Sequence, residues 1–294
     1  MARDLLAGCP WLRRTSMRAV VLGAAAVPGC CGRALAYGCG WLAWWCDARG
    51  RRVVERRLAR AVPAPDARAR AVRRSYTDFA LTLFDAARLP SRDWPRPGSI
   101  EIHDPHGVFR SRPLFGPAIL VSAHSHWDLL AAALHRLGLT DGILAPTLSY
   151  GDRKLDAWLA SQRHRWGCRT VALERAPLAL LRALYDGQII GLLIDRDYTG
   201  HGIAGRFLGQ PTRLPSGPAA LALQSGAPVI PLWLARRSTT RFALFVGQPL
   251  RPSPLATRSA CIVDLTERIA DALSRMLAAA PAQWVAFHDD RYAH

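Results

Sequence analysis

Two clusters in this 294-residue chain combine side chains that can move a proton or hold an anion. The first is His124-Ser125-His126-Trp127-Asp128, which directly follows the apolar run Ala118-Ile119-Leu120-Val121-Ser122. An imidazole with one nitrogen held by a carboxylate keeps the other free as a general base. His124 and Asp128 are four apart. A helix starting near Ser125 would put both on one face, making His124 the expected base and Asp128 its orienting carboxylate. Such a pair is the base half of a triad without its nucleophile, which a substrate hydroxyl would then supply. The competing reading is a structural His–Asp cap at a helix start.

The second cluster, Asp195-Arg196-Asp197-Tyr198, follows the run Ile189-Ile190-Gly191-Leu192-Leu193-Ile194. Arg196 either neutralises a phosphate or pairs with Asp195 and Asp197. Gly200, Gly202 and Gly205 then give a permissive loop without the spacing of a P-loop or Rossmann turn. Pro215 and Gly217 stiffen the entry to a helix whose N-terminus can face an anion.

The elements that must position these clusters are legible in the hydrophobic pattern. Apolar runs predict strands at Ser99–His103, Ala118–Ser122, Gly142–Pro146, Arg169–Leu173, Ile189–Asp195, Pro228–Leu234 and Arg241–Val246. Helical spacing predicts helices at Asp66–Arg88, Trp127–Leu137, Asp152–Trp166, Pro177–Asp186, Gly217–Ser225 and Ser259–Ala279. Strands that alternate with helices imply an α/β fold, a mixed, largely parallel sheet with helices on both faces. Both clusters then fall at the carboxyl edge of the sheet, where open α/β folds place their sites.

The net charge of +17 would draw acidic partners of any kind. No helix-turn-helix, zinc-finger or RNP pattern is present, so nucleic acid is not an expected partner. Five of the 7 cysteines (Cys9, Cys30, Cys31, Cys39 and Cys46) crowd the N-terminal region without metal-ligand spacing. A reduced compartment and no metal are the expectation. The segment Ala19–Cys46 has one charge, Arg33, and is interrupted by Pro28 and glycines, so neither half reaches the ~20 apolar residues of a spanning helix. Basic flanks (Arg13, Arg14 and Arg18 before; Arg49, Arg51, Arg52, Arg56 and Arg57 after) and Trp41, Trp44 and Trp45 suit a membrane interface. The expected division is a basic, apolar membrane-associated segment over residues 1–60 and one catalytic domain over 61–294.

From Ala118 to Arg237, and more loosely from Gly32 to Tyr292, the chain resembles the bacterial lipid A biosynthesis (late) acyltransferase family. That family includes phosphatidylinositol mannoside acyltransferases and belongs to the lysophospholipid acyltransferase superfamily. The stretches that carry the resemblance are Val121–Asp128, Leu155–Trp158, Asp195–Tyr198, Phe207–Pro211, Pro215–Ala222, Gly226–Pro231 and Pro281–Trp284. The resemblance implies a glycerolipid acyltransferase-like fold with an N-terminal membrane-associated helical segment, at the cytoplasmic face of a bacterial inner membrane. It also implies transfer of a fatty acyl chain from an acyl carrier protein or coenzyme A thioester to a hydroxyl of a lipid or glycolipid. No cofactor beyond that thioester is required. His124 and Asp128 would be catalytic, and Arg196, Arg153 and Arg175, with Asp195 and Asp197, would bind substrate. An anionic membrane surface and an acidic carrier protein would both answer the basic field.

The sequence departs from the family in one place. The family has four residues between its His and its Asp or Glu, whereas three separate His124 from Asp128, Ala123 stands in strict register and His126 falls where Asn is common. Either one loop residue is lost and the dyad kept, or His126 takes over as base, or the chain is an inactive acyltransferase-fold protein acting as a basic membrane-binding module. The shared face of positions i and i+4 favours the first.

Overall fold

The computed structural model describes residues 23–287, except 25, 90–93, 97, 111–112 and 286. Cys9, Arg13, Arg14, Arg18 and Tyr292 lie outside the described residues. Three helices open the described chain: α1 (Gly29–Cys46), α2 (Ala48–Leu58) and α3 (Pro65–Arg88). Strands β1 (Ile100–His103) and β2 (Ala118–Ser122) lead to α4 (Trp127–Arg136), β3 (Ile143–Thr147), α5 (Arg153–Arg165), β4 (Cys168–Ala172), α6 (Ala176–Tyr185) and β5 (Ile189–Leu193). A hairpin of β6 (Ile203–Phe207) and β7 (Gln210–Leu214) precedes α7 (Gly217–Ser225), β8 (Val229–Arg236), β9 (Phe242–Val246) and α8 (Arg258–Ala278).

Seven strands form one sheet in the order β1-β9-β8-β2-β5-β3-β4. All neighbours are parallel except β8 and β9. Every residue of β2 and β8 is buried, as central strands covered on both faces require. Side chains still alternate. Ile119 and Val121 join the core layer of α6, α7 and α8, while Ala118 and Leu120 join the layer of α4. This is the α/β, mostly parallel architecture expected, and all seven expected strands are in the sheet.

The hairpin was not expected, because glycines at 200, 202 and 205 mark a loop by composition. Its two-residue turn is Leu208-Gly209, with φ of 49° and 75°. Both central residues at positive φ is the turn that matches strand twist. The strain on Leu208 is offset by burying its side chain in the main core and by a hydrogen bond from its N–H to Ser274 Oγ at 3.0 Å.

Among the described residues no helix is long and apolar enough to cross a membrane. Instead α1 lies along α3, with Gly32 and Gly40 admitting close approach: a Cβ at Gly32 would sit 2.2 Å from the Phe84 ring, and one at Gly40 2.7 Å from the Thr77 backbone. Helical spacing predicts an apolar stripe of Ala69, Val72, Tyr76, Phe79, Leu83 and Ala87 on α3, but the buried stripe is largely polar. Val72 and Tyr76 are buried, but so are Ser75, Thr77, Asp78, Thr82, Asp85 and Arg88, while Leu83 is exposed. The reason is that α3 is covered by α1 on one side and meets the polar ends of the sheet on another. Asp85 sits between them, accepting from Arg33 Nη2 at 3.0 Å and from Arg236 Nη1 at 2.8 Å.

Asp85→Ala leaves the buried Arg236 guanidinium without its carboxylate, so a loss of about 3–5 kcal/mol in unfolding free energy is expected. Asp66→Ala, in the exposed first turn of the same helix, is expected to cost no more than about 1 kcal/mol. Urea unfolding of both variants checks the contrast.

Candidate active site

β2 ends at Ser122 and β5 at Leu193, in parallel register, so the residues just past them, His124 and Asp195, emerge side by side at one sheet edge. Pairing continues one step past the strands, with Ile194 N–H donating to the Ser122 carbonyl at 3.0 Å. Asp195 is 2% exposed. Its Oδ1 accepts from the His124 backbone N–H at 3.0 Å and from His124 Nδ1 at 2.8 Å. Its Oδ2 accepts from the Trp284 indole N–H at 2.8 Å, with the Arg196 guanidinium 3.9 Å away. Burial alone would push this carboxyl up, but the charge and hydrogen bond of His124, then Arg196 and Trp284, outweigh it and hold the carboxyl well below the usual carboxylate range.

An ionised carboxylate only accepts, so His124 presents Nδ1–H to it and keeps its lone pair on Nε2. The Tyr198 hydroxyl lies 3.3 Å from Nε2 and also accepts from Arg196 Nη1 at 3.3 Å. The backbone is held as firmly as the ring. The His124 carbonyl accepts from Val285 N–H at 2.8 Å, and Arg196 Nη2 donates to the Val285 carbonyl. The segment 283–285 thus closes over His124 from behind.

The expected pairing of His124 with Asp128 is not found. α4 begins at Trp127, so His124 lies outside the helix and the shared-face argument does not apply to it. Asp128 instead accepts from Arg163 Nε at 3.0 Å, and Arg163 also reaches Thr147 Oγ1 at 3.3 Å. The Asp128 charge raises the Arg163 pKa, while burial, with the same carboxylate, pushes the Cys168 thiol up to about 12. A cavity of about 210 Å³ at the carboxyl edge of β3 and β4 is lined by Thr147, Tyr150, Asp156, Arg163 and Ala172, among others, and so borders the Asp128 pair rather than His124.

His126 is a buried structural residue. It caps α4 through its backbone, and its ring lies between Thr82 Oγ1, 2.7 Å from Nδ1, and Gln283 Oε1, 3.1 Å from Nε2. The Gln283 amide is oriented by the Arg236 backbone, donating to its carbonyl at 2.7 Å and accepting from its N–H at 2.8 Å. Gln283 Oε1 is therefore an acceptor, and neutral His126 carries its proton on Nε2. Burial, then the charge of Arg236, lowers the His126 pKa to about 3.

The remaining residues separate. Asp197 is spent on its own loop, accepting from Thr199 N–H (2.9 Å) and hydroxyl (2.8 Å) and from the N–H groups of Gly200 (3.0 Å) and Gly202 (2.6 Å). Arg153 opens α5 and Arg175 ends a 3₁₀ turn before α6, and both are exposed. Sequence reasoning missed Trp284 and Tyr198 as parts of the site. Two strand ends that adjoin in a parallel sheet were the available signal for the His124–Asp195 pair.

A histidine whose Nδ1–H is held by a buried carboxylate keeps its other ring nitrogen available for proton transfer, the arrangement that general acid–base chemistry needs. The chain belongs to the bacterial lipid A biosynthesis acyltransferase family, whose model matches residues 10–291. It is thus an acyltransferase of lipid or glycolipid. It is similar to the phosphatidylinositol mannoside acyltransferase of Mycolicibacterium smegmatis, 29% identical over 242 residues, which cover 79% of this chain and 76% of that one. The protein of that name from Mycobacterium tuberculosis (strain CDC 1551 / Oshkosh) is 33% identical over 174 residues, 57% of this chain and 52% of the relative. A similar solved structure is the 1-acyl-sn-glycerophosphate acyltransferase PlsC from Thermotoga maritima, 15% identical, covering 82% of this chain and 97% of that one, with a TM-score of 0.38.

The buried neutral His126 has a definite pH signature. Its folded pKa of about 3 lies below the ~6.5 of an unfolded histidine, so the unfolded chain binds the extra proton between those values. Stability is therefore full above about pH 6.5 and falls as the pH drops, by up to about 1.4 kcal/mol per pH unit from this group. His126→Asn is expected to flatten the slope between about pH 4.5 and 6.5, above the carboxylate range, in urea unfolding measured as a function of pH.

Proposed function

We propose that this acyltransferase moves a fatty acyl group from an acyl carrier protein or coenzyme A thioester to a hydroxyl of a lipid or glycolipid, with His124 as the general base. The observation that carries the reading is the orientation of His124, with Nδ1–H fixed on buried Asp195 and Nε2 facing Tyr198 at the exposed side. The acceptor hydroxyl gives its proton to Nε2 as its oxygen attacks the thioester carbonyl. Asp195 steadies the imidazolium that forms. The C–S bond then breaks and the thiolate takes the proton from Nε2. Asp195 fills the place that the spacing had given to Asp128. The exposed Arg153 and Arg175 are suited to acceptor phosphate, whereas Arg196 serves the site by holding Tyr198 and Val285. The curated relatives act on phosphatidylinositol mannoside by name, which supports a glycolipid acceptor.

We also propose that residues 1–60 attach the enzyme to the cytoplasmic face of a bacterial inner membrane. The outward face of α1 is uncharged and exposes Leu35 (65%), Leu42 (60%) and Trp45 (58%) beside Tyr37 and Trp41. Contiguous exposed apolar surface of this kind, next to the exposed Arg49, Arg52 and Arg56, suits the interface of an anionic bilayer.

Two measurements test these readings. In acyl transfer from a radiolabelled thioester, His124→Ala and Asp195→Asn are each expected to lose about 10²-fold or more while staying folded, and Asp128→Asn under about tenfold. If Asp128→Asn is as damaging as His124→Ala and Asp195→Asn is mild, the orienting role returns to Asp128. In flotation with phosphatidylglycerol vesicles, high salt is expected to release only part of the protein, because screening weakens charge but not apolar burial. Leu35→Glu/Leu42→Glu is expected to release most of what remains, and complete release of the unaltered protein by salt alone would argue against apolar burial.

A further inference from the structure

Nε2 of His124 has one lone pair, and the Tyr198 hydroxyl lies on it at 3.3 Å. A base so capped cannot take a proton from another hydroxyl, so any catalysis through His124 requires Tyr198 to leave first. The tyrosine is placed to do so. The residue is 49% exposed, and its ring makes an edge contact with the imidazole, with ring centroids 5.9 Å apart. Both of its hydroxyl contacts are 3.3 Å, long beside the 2.8 Å bond from His124 to Asp195. The preceding residue is clamped, because Asp197 takes four hydrogen bonds from Thr199, Gly200 and Gly202. Rotation of the Tyr198 side chain therefore leaves the loop intact.

The cap also has the bonding pattern of a substrate. The phenolic oxygen accepts from Arg196 and donates to Nε2, as an acceptor hydroxyl would while its proton is taken and its oxygen gains charge. We propose that Tyr198 is a stand-in for the acceptor hydroxyl, a specificity-determining residue that keeps His124 from activating water until the acceptor lipid displaces it. This rests on the acyl transfer proposed at His124. A lipid acceptor draws on binding along its whole length to displace the phenol, whereas water has only the hydrogen bond it would form in exchange. What the cap suppresses is hydrolysis: the water oxygen bonds the thioester carbon, its proton passes to Nε2, the C–S bond breaks, and the thiolate leaves with that proton.

The test uses the full chain in vesicles with palmitoyl-coenzyme A and no acceptor, and follows thiol release. Tyr198→Phe is expected to raise the release about two- to tenfold, the weight of one net hydrogen bond, and Tyr198→Phe/His124→Ala to abolish the gain. With acceptor present, the KM for the acceptor is expected to fall. A readout independent of turnover is carbethoxylation of His124 by diethyl pyrocarbonate, followed by mass spectrometry. It is expected to quicken by a similar factor in Tyr198→Phe, while His126, buried with both nitrogens engaged, stays unmodified. Unchanged thiol release and unchanged carbethoxylation would overturn the cap. A fall in both transfer and hydrolysis would also overturn it and make Tyr198 a catalytic residue. Faster carbethoxylation with no thiol release from either protein would uphold the cap on the base and sink the acyl-transfer reading instead.

Discussion

One oxygen of a buried carboxylate, Oδ1 of Asp195, takes both the backbone N–H and the Nδ1–H of His124. This double contact fixes where the residue is and which way its ring faces, and it also decides the tautomer. His124 would otherwise sit free in the loop between β2 and α4, where its side chain has several rotamers. Burial makes the arrangement demanding, because a carboxylate out of water must have its lone pairs matched by donors. Trp284 supplies the donor for the second oxygen and Arg196 the nearby positive charge.

The need for those donors explains why the end of the described chain returns to the site. Gln283, Trp284 and Val285 each serve a different neighbour: the His126 ring and Arg236 backbone, the Asp195 carboxylate, and the His124 carbonyl. Three consecutive residues thereby tie the loop after β2 to β8 and to the end of β5. Arg236 in turn meets Asp85 of α3, which also holds Arg33 of α1. The helix that carries the exposed apolar face is thus joined through Asp85 and Arg236 to the scaffold behind His124. That continuity gives the buried polar stripe of α3 its role, which packing of apolar surface alone would not supply.

Much of the fold was legible because the strands are buried on both faces and read as unbroken apolar runs, β2 and β8 most clearly. The β6–β7 hairpin was hidden by its own composition, since half-exposed strands with glycine and arginine read as loop. That His124 stands at the sheet edge was legible from its place just after β2. Its partner was not, because helical spacing to Asp128 presumed a helix start two residues earlier than Trp127. Pairing between strands far apart in the chain, here β2 with β5, is a property of topology that local periodicity does not carry. Trp284 was visible only as part of a family-like stretch until the sheet brought Asp195 beneath it.

The most direct test of the account is the protonation pattern of the His124 ring, read by NMR of protein labelled with ¹⁵N in its histidines. The structure requires the proton on Nδ1, hydrogen-bonded to Asp195, with Nε2 unprotonated in the neutral form. A downfield Nδ1–H resonance from His124 that is displaced or lost in Asp195→Asn, and unchanged in Asp128→Asn, is the predicted result. A resonance that survives Asp195→Asn and is lost in Asp128→Asn, or a neutral ring protonated on Nε2, would contradict it.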